Sequence, residues 1–275
     1  MHPTITPASH SSSSRGTAVI TGASAGLGKI YADRLARRGY DLLLVARRAD
    51  RLDSVAASLR ASYGVNVTTV VADLADGADL DKVAAIAAAD DSITLLVNNA
   101  GTSTVAGLDK MSRDDIDAMN DVNVLALVRL SHAIFPRFRA RHYGTLINIG
   151  SVLGLVSLPG SSIYSSTKGY VLNFTRALQD EAANTGVVVQ LVMPAATATD
   201  IWEISGVPLS ALDPRHVMSP DDCVDAALAG LDLGELVTLP SLEDGGLFKA
   251  YDAARLALGA AVSNGRPASR YDTGK

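Results

Sequence analysis

Thr17-Ala18-Val19-Ile20-Thr21-Gly22-Ala23-Ser24-Ala25-Gly26-Leu27-Gly28 decides the fold. A short β-branched run ends at Thr21, glycines follow at 22, 26 and 28, and from Gly26 to Arg38 the apolar positions take a helical period. Glycine at such a turn frees the backbone from the limits a Cβ imposes, and the first helical amides face outward at the positive end of the helix dipole. A strand-turn-helix of this form suits a pyrophosphate at the helix N-terminus. The spacing is GxxxGxG rather than GxGxxG, and the bare alternative is a Gly-rich turn with no ligand.

The same alternation continues along the chain. Strands are expected at Thr17 to Thr21, Asp41 to Ala46, Val65 to Val71, Ile93 to Val97, Gly144 to Ile149, Val187 to Met193 and Leu236 to Leu239. Helical periods lie between them at Gly26 to Arg38, Ala49 to Ser62, Leu80 to Ala89, Arg113 to Arg141, Ser165 to Asn184 and Pro220 to Leu231, with a further one at Leu247 to Val262. This predicts an α/β, Rossmann-like doubly wound parallel sheet of about seven strands with helices on both faces, and ligand sites beyond the carboxyl ends of the strands. No internal repeat or second domain is legible, so residues 16 to 275 read as one domain. The least patterned stretch, Ala195 to Ser219, follows a strand end and is a lid candidate. Residues 1 to 15, rich in Ser, Pro and Thr, read as a disordered tail without the apolar centre of a secretory signal.

Of the 275 residues 48% are hydrophobic and 19% charged, with a net charge of −5, the balance of a soluble globular protein. The deficit of Lys and Arg argues against a nucleic-acid partner, and no apolar run approaches the roughly 20 residues that span a bilayer. Cys223 is the only cysteine, which excludes an intrachain disulfide and a cysteine metal cluster and points to the reducing cytoplasm. His132 and His142 have no partners at metal-ligand spacing, so no metal is expected, and His132 is expected to pack at a helix interface.

The second strand ends in Arg47 and Arg48, where an NAD-binding chain usually places an acid against the ribose 2′-hydroxyl. Paired guanidinium groups suit a 2′-phosphate, so NADP(H) is the expected cofactor; the plain reading is a solvated charge patch at a helix entry. Asp73, followed by Leu74, ends the third strand and serves either as an acceptor for the adenine amino group or as the cap of the next helix. Asn98-Asn99-Ala100-Gly101 is by itself a tight turn whose small residues let backbone approach a nucleoside.

Tyr164 and Lys168 are four apart in a helical segment and project from one face. A phenol is a poor proton donor-acceptor at neutral pH unless a cation stabilises its anion, and Lys168 supplies one; alone, the pair also suits a surface helix. Ser151 ends the fifth strand on the edge that carries the glycine loop, placed to bond a carbonyl oxygen as charge develops there or merely to cap a loop. Asn123 alone is an unremarked helix residue. There is no GxSxG motif for acyl chemistry.

Taken together, Thr21-Gly22-x3-Gly26-x-Gly28, Asn98 to Gly101, Asn123, Ser151 and Tyr164-x3-Lys168 resemble, in order and spacing, the compact short-chain dehydrogenase/reductase family from about Thr17 to Asp200. The resemblance implies a catalytic tetrad: Tyr164 as general acid, Ser151 orienting the carbonyl, Lys168 binding the nicotinamide ribose and lowering the phenol pKa, and Asn123 holding a relay water. It implies cofactor contacts from Gly22, Ser24, Ala25, Gly26, Leu27, Gly28, Asn99, Ala100, Gly101, Tyr164 and Lys168. Arg47, Arg48, Asp73 and Leu74 join them, as do Pro194, Thr197 and Thr199. The family's Pro-Gly after the sixth strand is here Pro194-Ala195. A homo-oligomer, dimer or tetramer, is implied through the helices at 113 and 165. The expected partner is a small-molecule ketone or alcohol, with Ser151, Leu153 and Trp202 as substrate contacts and apolar residues on two sides of the carbonyl. The rival readings are a catalytically silent nucleotide-binding regulator and an epimerase or dehydratase, whose chains in this family are usually longer.

Overall fold

The computed structural model describes residues 15–271. The expected tail, apart from Arg15, lies outside the described residues. The chain runs β1 (Thr17–Thr21), α1 (Gly26–Arg37), β2 (Asp41–Ala46), α2 (Ala49–Tyr63), β3 (Val67–Val71), α3 (Gly77–Ala89), β4 (Ile93–Asn98), α4 (Arg113–Asn120), α5 (Leu127–Ala140), β5 (Gly144–Ile149), α6 (Ser162–Ala182), β6 (Val187–Val192), α7 (Ile201–Ser205), α8 (Pro220–Asp232), β7 (Val237–Thr238) and α9 (Gly245–Val262). The strands form one sheet in the order β3-β2-β1-β4-β5-β6-β7, every neighbouring pair parallel. β1 lies between β2 and β4, so the strand order reverses there and a crevice opens beyond the carboxyl ends.

Burial explains why the inner strands read as continuous apolar runs. All five residues of β1 are buried, its alternate side chains joining two cores on opposite faces: Ala18 and Ile20 pack with α1, α2 and α8, Val19 with α3 and α5. β3, at the edge, is only partly buried, through Val67 and Val70, and leaves Val71 exposed.

The main departure from the sequence reading is the stretch read as one helix over 113–141. It is α4, then π-helical turns over Asp121–Ala126, then α5. A π segment carries one residue more per turn than the flanking α-helix and re-aims the side chains beyond it. α3 begins a turn earlier than expected because Asp76, not Asp73, caps it, accepting from the amides of Ala78 and Asp79. α6 ends before Asn184, which takes a left-handed φ of 62°. His132 is exposed on α5 rather than packed at an interface.

The chain divides into two compact units, one ending at Pro240 and the other beginning at Ser241. The second unit is built on α9, capped by Asp244 through the amide of Gly246, and none of its helical residues is buried.

Candidate active site

The ends of β1 and β4 are stitched into one surface. Thr21 Oγ1 donates to the Val97 carbonyl (3.3 Å) and accepts from the amides of Asn99 and Ala100 (3.0 Å each), while Asn99 Nδ2 donates back to the Thr21 carbonyl (2.8 Å). Against this surface Gly22 turns with φ +67°. A Cβ there would stand 2.8 Å from Asn99 Nδ2, and one on Gly26 (φ +51°) would stand 3.3 Å from the Thr199 side chain. The glycines therefore keep a space open. Ala25, the residue before α1, offers no side-chain cap, and α1 has no acid in its first turn, so its first amides remain available to an anion.

That space is part of a cavity of about 630 Å³ across the carboxyl ends of the strands. Its wall includes Gly22, Ser24, Ala25, Gly26 and Leu27 from the loop after β1, and Arg47 and Arg48 after β2. Asp73 and Leu74 follow β3, Asn99, Ala100 and Gly101 follow β4, and Pro194, Thr197 and Thr199 follow β6. Of the sequence-derived cofactor contacts only Gly28 is absent from the wall. It lies behind, where any Cβ would strike the Gly22 carbonyl, so its smallness lets α1 approach the strand end. The open glycine cradle and uncapped amides fit a dinucleotide, which would rest against this row of strand ends. Ala195 sits in the wall without a positive φ, so alanine replaces the family's glycine with no left-handed strain.

Arg47 lies 3.8 Å from Asp73 and is mostly exposed. Arg48 reaches Ser24 Oγ and Asp200 Oδ2, both at 3.5 Å. Asp73 is not a helix cap. Its Oδ1 accepts from the amide of Ala75 (3.1 Å), leaving the carboxylate on the cavity wall.

At the other end of the cavity stand Ser151, Tyr164 and Lys168. Ser151 follows β5 and begins a 3-10 turn, its Oγ accepting from the amide of Leu153 (3.1 Å), and its hydroxyl is near enough to Tyr164 to favour the phenolate. One turn along α6, Lys168 Nζ donates to the Ile149 carbonyl (2.9 Å) and lies 5.7 Å from the centre of the Tyr164 ring. Burial pushes the Tyr164 phenol up to about 12, partly offset by Ser151, and pushes the Lys168 ammonium down to about 8. Burial is the larger influence on the phenol in the described structure. The acid form of Tyr164 is the neutral-pH form.

Asn123 does not reach the cavity wall. Projecting from the π-helical turns, its Oδ1 accepts from the Thr102 amide (2.8 Å) and its Nδ2 donates to the Thr102 carbonyl (2.9 Å) and Thr167 Oγ1 (3.1 Å). In this geometry the Asn123 side chain supports the loop after β4 directly.

Leu153 and Trp202 both line the cavity. With Val105, Leu158, Ile201 and Ile204 they make its wall apolar around the Ser151–Tyr164 pair. The 195–219 stretch is less irregular than its sequence suggests: it contains α7 and two 3-10 turns, and Thr197 bridges Met218. Trp202 Nε1 donates to the Thr197 carbonyl (2.8 Å), and the Val105 amide donates to the Ser205 carbonyl (3.0 Å), fastening α7 over the cavity. Sequence reading missed Arg51, Asp200 and Thr102. No local spacing signals them, since the contact of Asp200 with Arg51 spans 149 residues.

The family model for short chain dehydrogenases matches residues 16–206, and the chain belongs to that family of oxidoreductases. It is 34% identical over 208 residues to a very-long-chain 3-oxoacyl-CoA reductase of Danio rerio, a match covering 74% of this chain and 65% of that protein. A duck (Anas platyrhynchos) very-long-chain 3-oxoacyl-CoA reductase is 36% identical over 68% of this chain and 62% of its own length. The chain thus spans less than two thirds of these relatives. Among solved structures, a short-chain dehydrogenase from Sphingobium yanoikuyae in complex with NADPH superposes with a TM-score of 0.90 at 43% identity, covering 93% of this chain and 99% of that one. A bulky-bulky ketone specific alcohol dehydrogenase from Comamonas testosteroni superposes at 0.86 with 37% identity, covering 94% and 98%. Among the described residues no helix is long and apolar enough to cross a membrane.

Proposed function

We propose that the protein is an NADP(H)-dependent oxidoreductase that interconverts a hydrophobic ketone and its secondary alcohol, with Tyr164 as general acid and base. The observation that carries this is that Tyr164, Ser151 and Lys168 line one cavity together with the glycine loop, Arg47 and Arg48. A nicotinamide bound there would supply or accept the hydride.

The chain's own residues handle the oxygen and its proton. Ser151 Oγ and the Tyr164 hydroxyl both face the oxygen of a carbonyl set between them, as donors toward developing negative charge. Tyr164, held protonated by burial, gives its proton to that oxygen in reduction and takes it back in oxidation. Lys168 brings the positive charge that the resulting phenolate needs, and the Ile149 carbonyl fixes its position. Asn123 keeps the loop 101–105 against α6.

NADP(H) over NAD(H) is supported by the two arginines at the end of β2 and by the NADPH complex of the Sphingobium relative. A hydrophobic substrate is supported by the apolar wall. The Comamonas relative, specific for bulky-bulky ketones, is in line with this. The same reading places the enzyme in the cytoplasm, supported by a single buried cysteine, and as a dimer or tetramer through the α4–α5 and α6 faces, where Leu125 and Tyr170 are exposed.

Oxidation of NADPH, followed by its absorbance against a panel of ketones graded in size with a 3-oxoacyl-CoA included, tests the proposal. Turnover highest for uncharged bulky ketones is expected. Turnover of the thioester alone, or none with any carbonyl, would overturn it.

A further inference from the structure

Asp200 stands immediately before α7, where a short polar side chain ordinarily caps a helix, yet its carboxylate makes no bond to the α7 amides. It turns to the other side of the cavity. Oδ2 lies 3.1 Å from Arg51 Nη1 and 3.5 Å from Arg48 Nη1, and Arg48 Nη2 lies 3.5 Å from Ser24 Oγ on the glycine loop. Arg48 thus joins the nucleotide side of the cavity to the segment that carries Trp202. Both of its contacts are at the long limit of a hydrogen bond and both partners are about half exposed, so the pair is weakly held and open to exchange. The far end of α7 is fastened differently, by the main-chain bond from Val105 to Ser205.

A ribose 2′-phosphate carries a charge of about −1.5 to −2 near neutral pH and offers three acceptor oxygens, against the single charge of Asp200. We propose that Asp200 is a positioning residue that competes with the cofactor's 2′-phosphate for Arg48, so that engagement of that phosphate frees the start of α7 and the substrate wall it carries. Asp200 keeps Arg51 when Arg48 leaves, which sets a limit to the movement. The proposal rests on the NADP(H) reading above. By linkage, a contact that the phosphate must displace weakens phosphate binding by the factor that phosphate binding loosens the contact.

Trp202 is the sole tryptophan of the sequence and lies two residues past Asp200, so emission excited selectively from tryptophan reports this segment alone. The probes are adenosine 2′,5′-bisphosphate and AMP, which differ only in the 2′-phosphate and carry no nicotinamide to absorb the emission. On the unmodified protein, binding is measured by calorimetry and Trp202 exposure by acrylamide quenching. The bisphosphate is expected to bind more tightly than AMP and to raise quenching of Trp202, and AMP to leave it unchanged. Asp200→Asn is expected to tighten the bisphosphate about fivefold, the low end of ordinary coupling between sites, without altering AMP, and to show raised quenching before any nucleotide is added. In an Arg48→Met background the same substitution is expected to have no effect on bisphosphate affinity. Tight bisphosphate binding with unchanged Trp202, an equal response to AMP, or an unaltered affinity in Asp200→Asn overturns the coupling alone. Equal affinity of the unmodified protein for the two nucleotides overturns the NADP(H) reading and the coupling with it.

Discussion

Asn123 holds the Thr102 main chain at two points, accepting from its amide at 2.8 Å and donating to its carbonyl at 2.9 Å. A third bond, to Thr167 Oγ1, ties that loop to α6, the helix of Tyr164 and Lys168. Asn123→Ala leaves these groups unpaired at about 1–3 kcal/mol for each one that stays buried, so a lower urea midpoint is expected together with a lower kcat. Asn123→Asp keeps the bond from the Thr102 amide and is expected to lie between the two. Full stability with activity lost would instead assign Asn123 to the chemistry itself.

Tyr164→Phe keeps the ring and removes the transferable proton. Loss of kcat by roughly 10²- to 10⁴-fold is expected, with NADPH affinity measured by fluorescence nearly unchanged. A variant that retains most of its turnover would transfer the proton role to another group.

The two shifted groups define a pH profile. Lys168, lowered to about 8, loses its charge as pH rises through that value, while Tyr164, raised to about 12, stays protonated far beyond it. For reduction, which needs both protons in place, kcat/KM is expected to hold through pH 7 and to fall above about 8. A profile flat to pH 10 would contradict the assignment of that charge to Lys168.

Arg47→Asp places a carboxylate beside Asp73, now 3.8 Å from the guanidinium. A lost hydrogen bond to a charged group is worth about 1.5–3 kcal/mol, so preference for NADPH over NADH in kcat/KM is expected to fall at least about tenfold, and to reverse where repulsion adds to the loss. An unchanged ratio would leave recognition of the 2′-phosphate to Arg48.

Trp202→Ala enlarges the apolar wall. For a ketone that buries about 60 Å² against the indole, at about 25 cal/mol per Å², KM is expected to rise roughly tenfold, while acetone-sized ketones change little. Trp202→Phe loses the bond to the Thr197 carbonyl but keeps an aromatic face, and separates anchoring of α7 from contact with substrate. Equal effects of both variants on large and small ketones would confine Trp202 to anchoring.

The sheet was legible because β1, β2 and β4 to β6 are buried runs whose period differs sharply from that of the helices between them. The glycine loop, Ser151 and Tyr164–Lys168 were legible because each sits at a strand end or on one helical face, where spacing along the chain fixes position in space. Asn123 was visible only through the family's pattern, since its partners, Thr102 and Thr167, are 21 and 44 residues away. The π-helical turns left no periodic signature, and the contact of Asp200 with Arg48 and Arg51 joins segments about 150 residues apart, which no local rule relates. The phenol's high pKa depends on how deeply the fold encloses it, a property of the assembled cavity rather than of the residue type.

The π-helical turns at Asp121–Ala126 have the geometry of a helix into which one residue has been inserted. Deleting a single residue on the N-terminal side of Asn123 would let the backbone return to a continuous α-helical ladder, and would rotate Asn123 by about 100° relative to α4. The shortened protein would have the better-formed helix and an amide aimed away from Thr102. Selection for helix regularity alone would thus remove the residue that selection for a working pocket retains, and length variants arising at this point should gain a regular helix while losing the Thr102 bonds and turnover together.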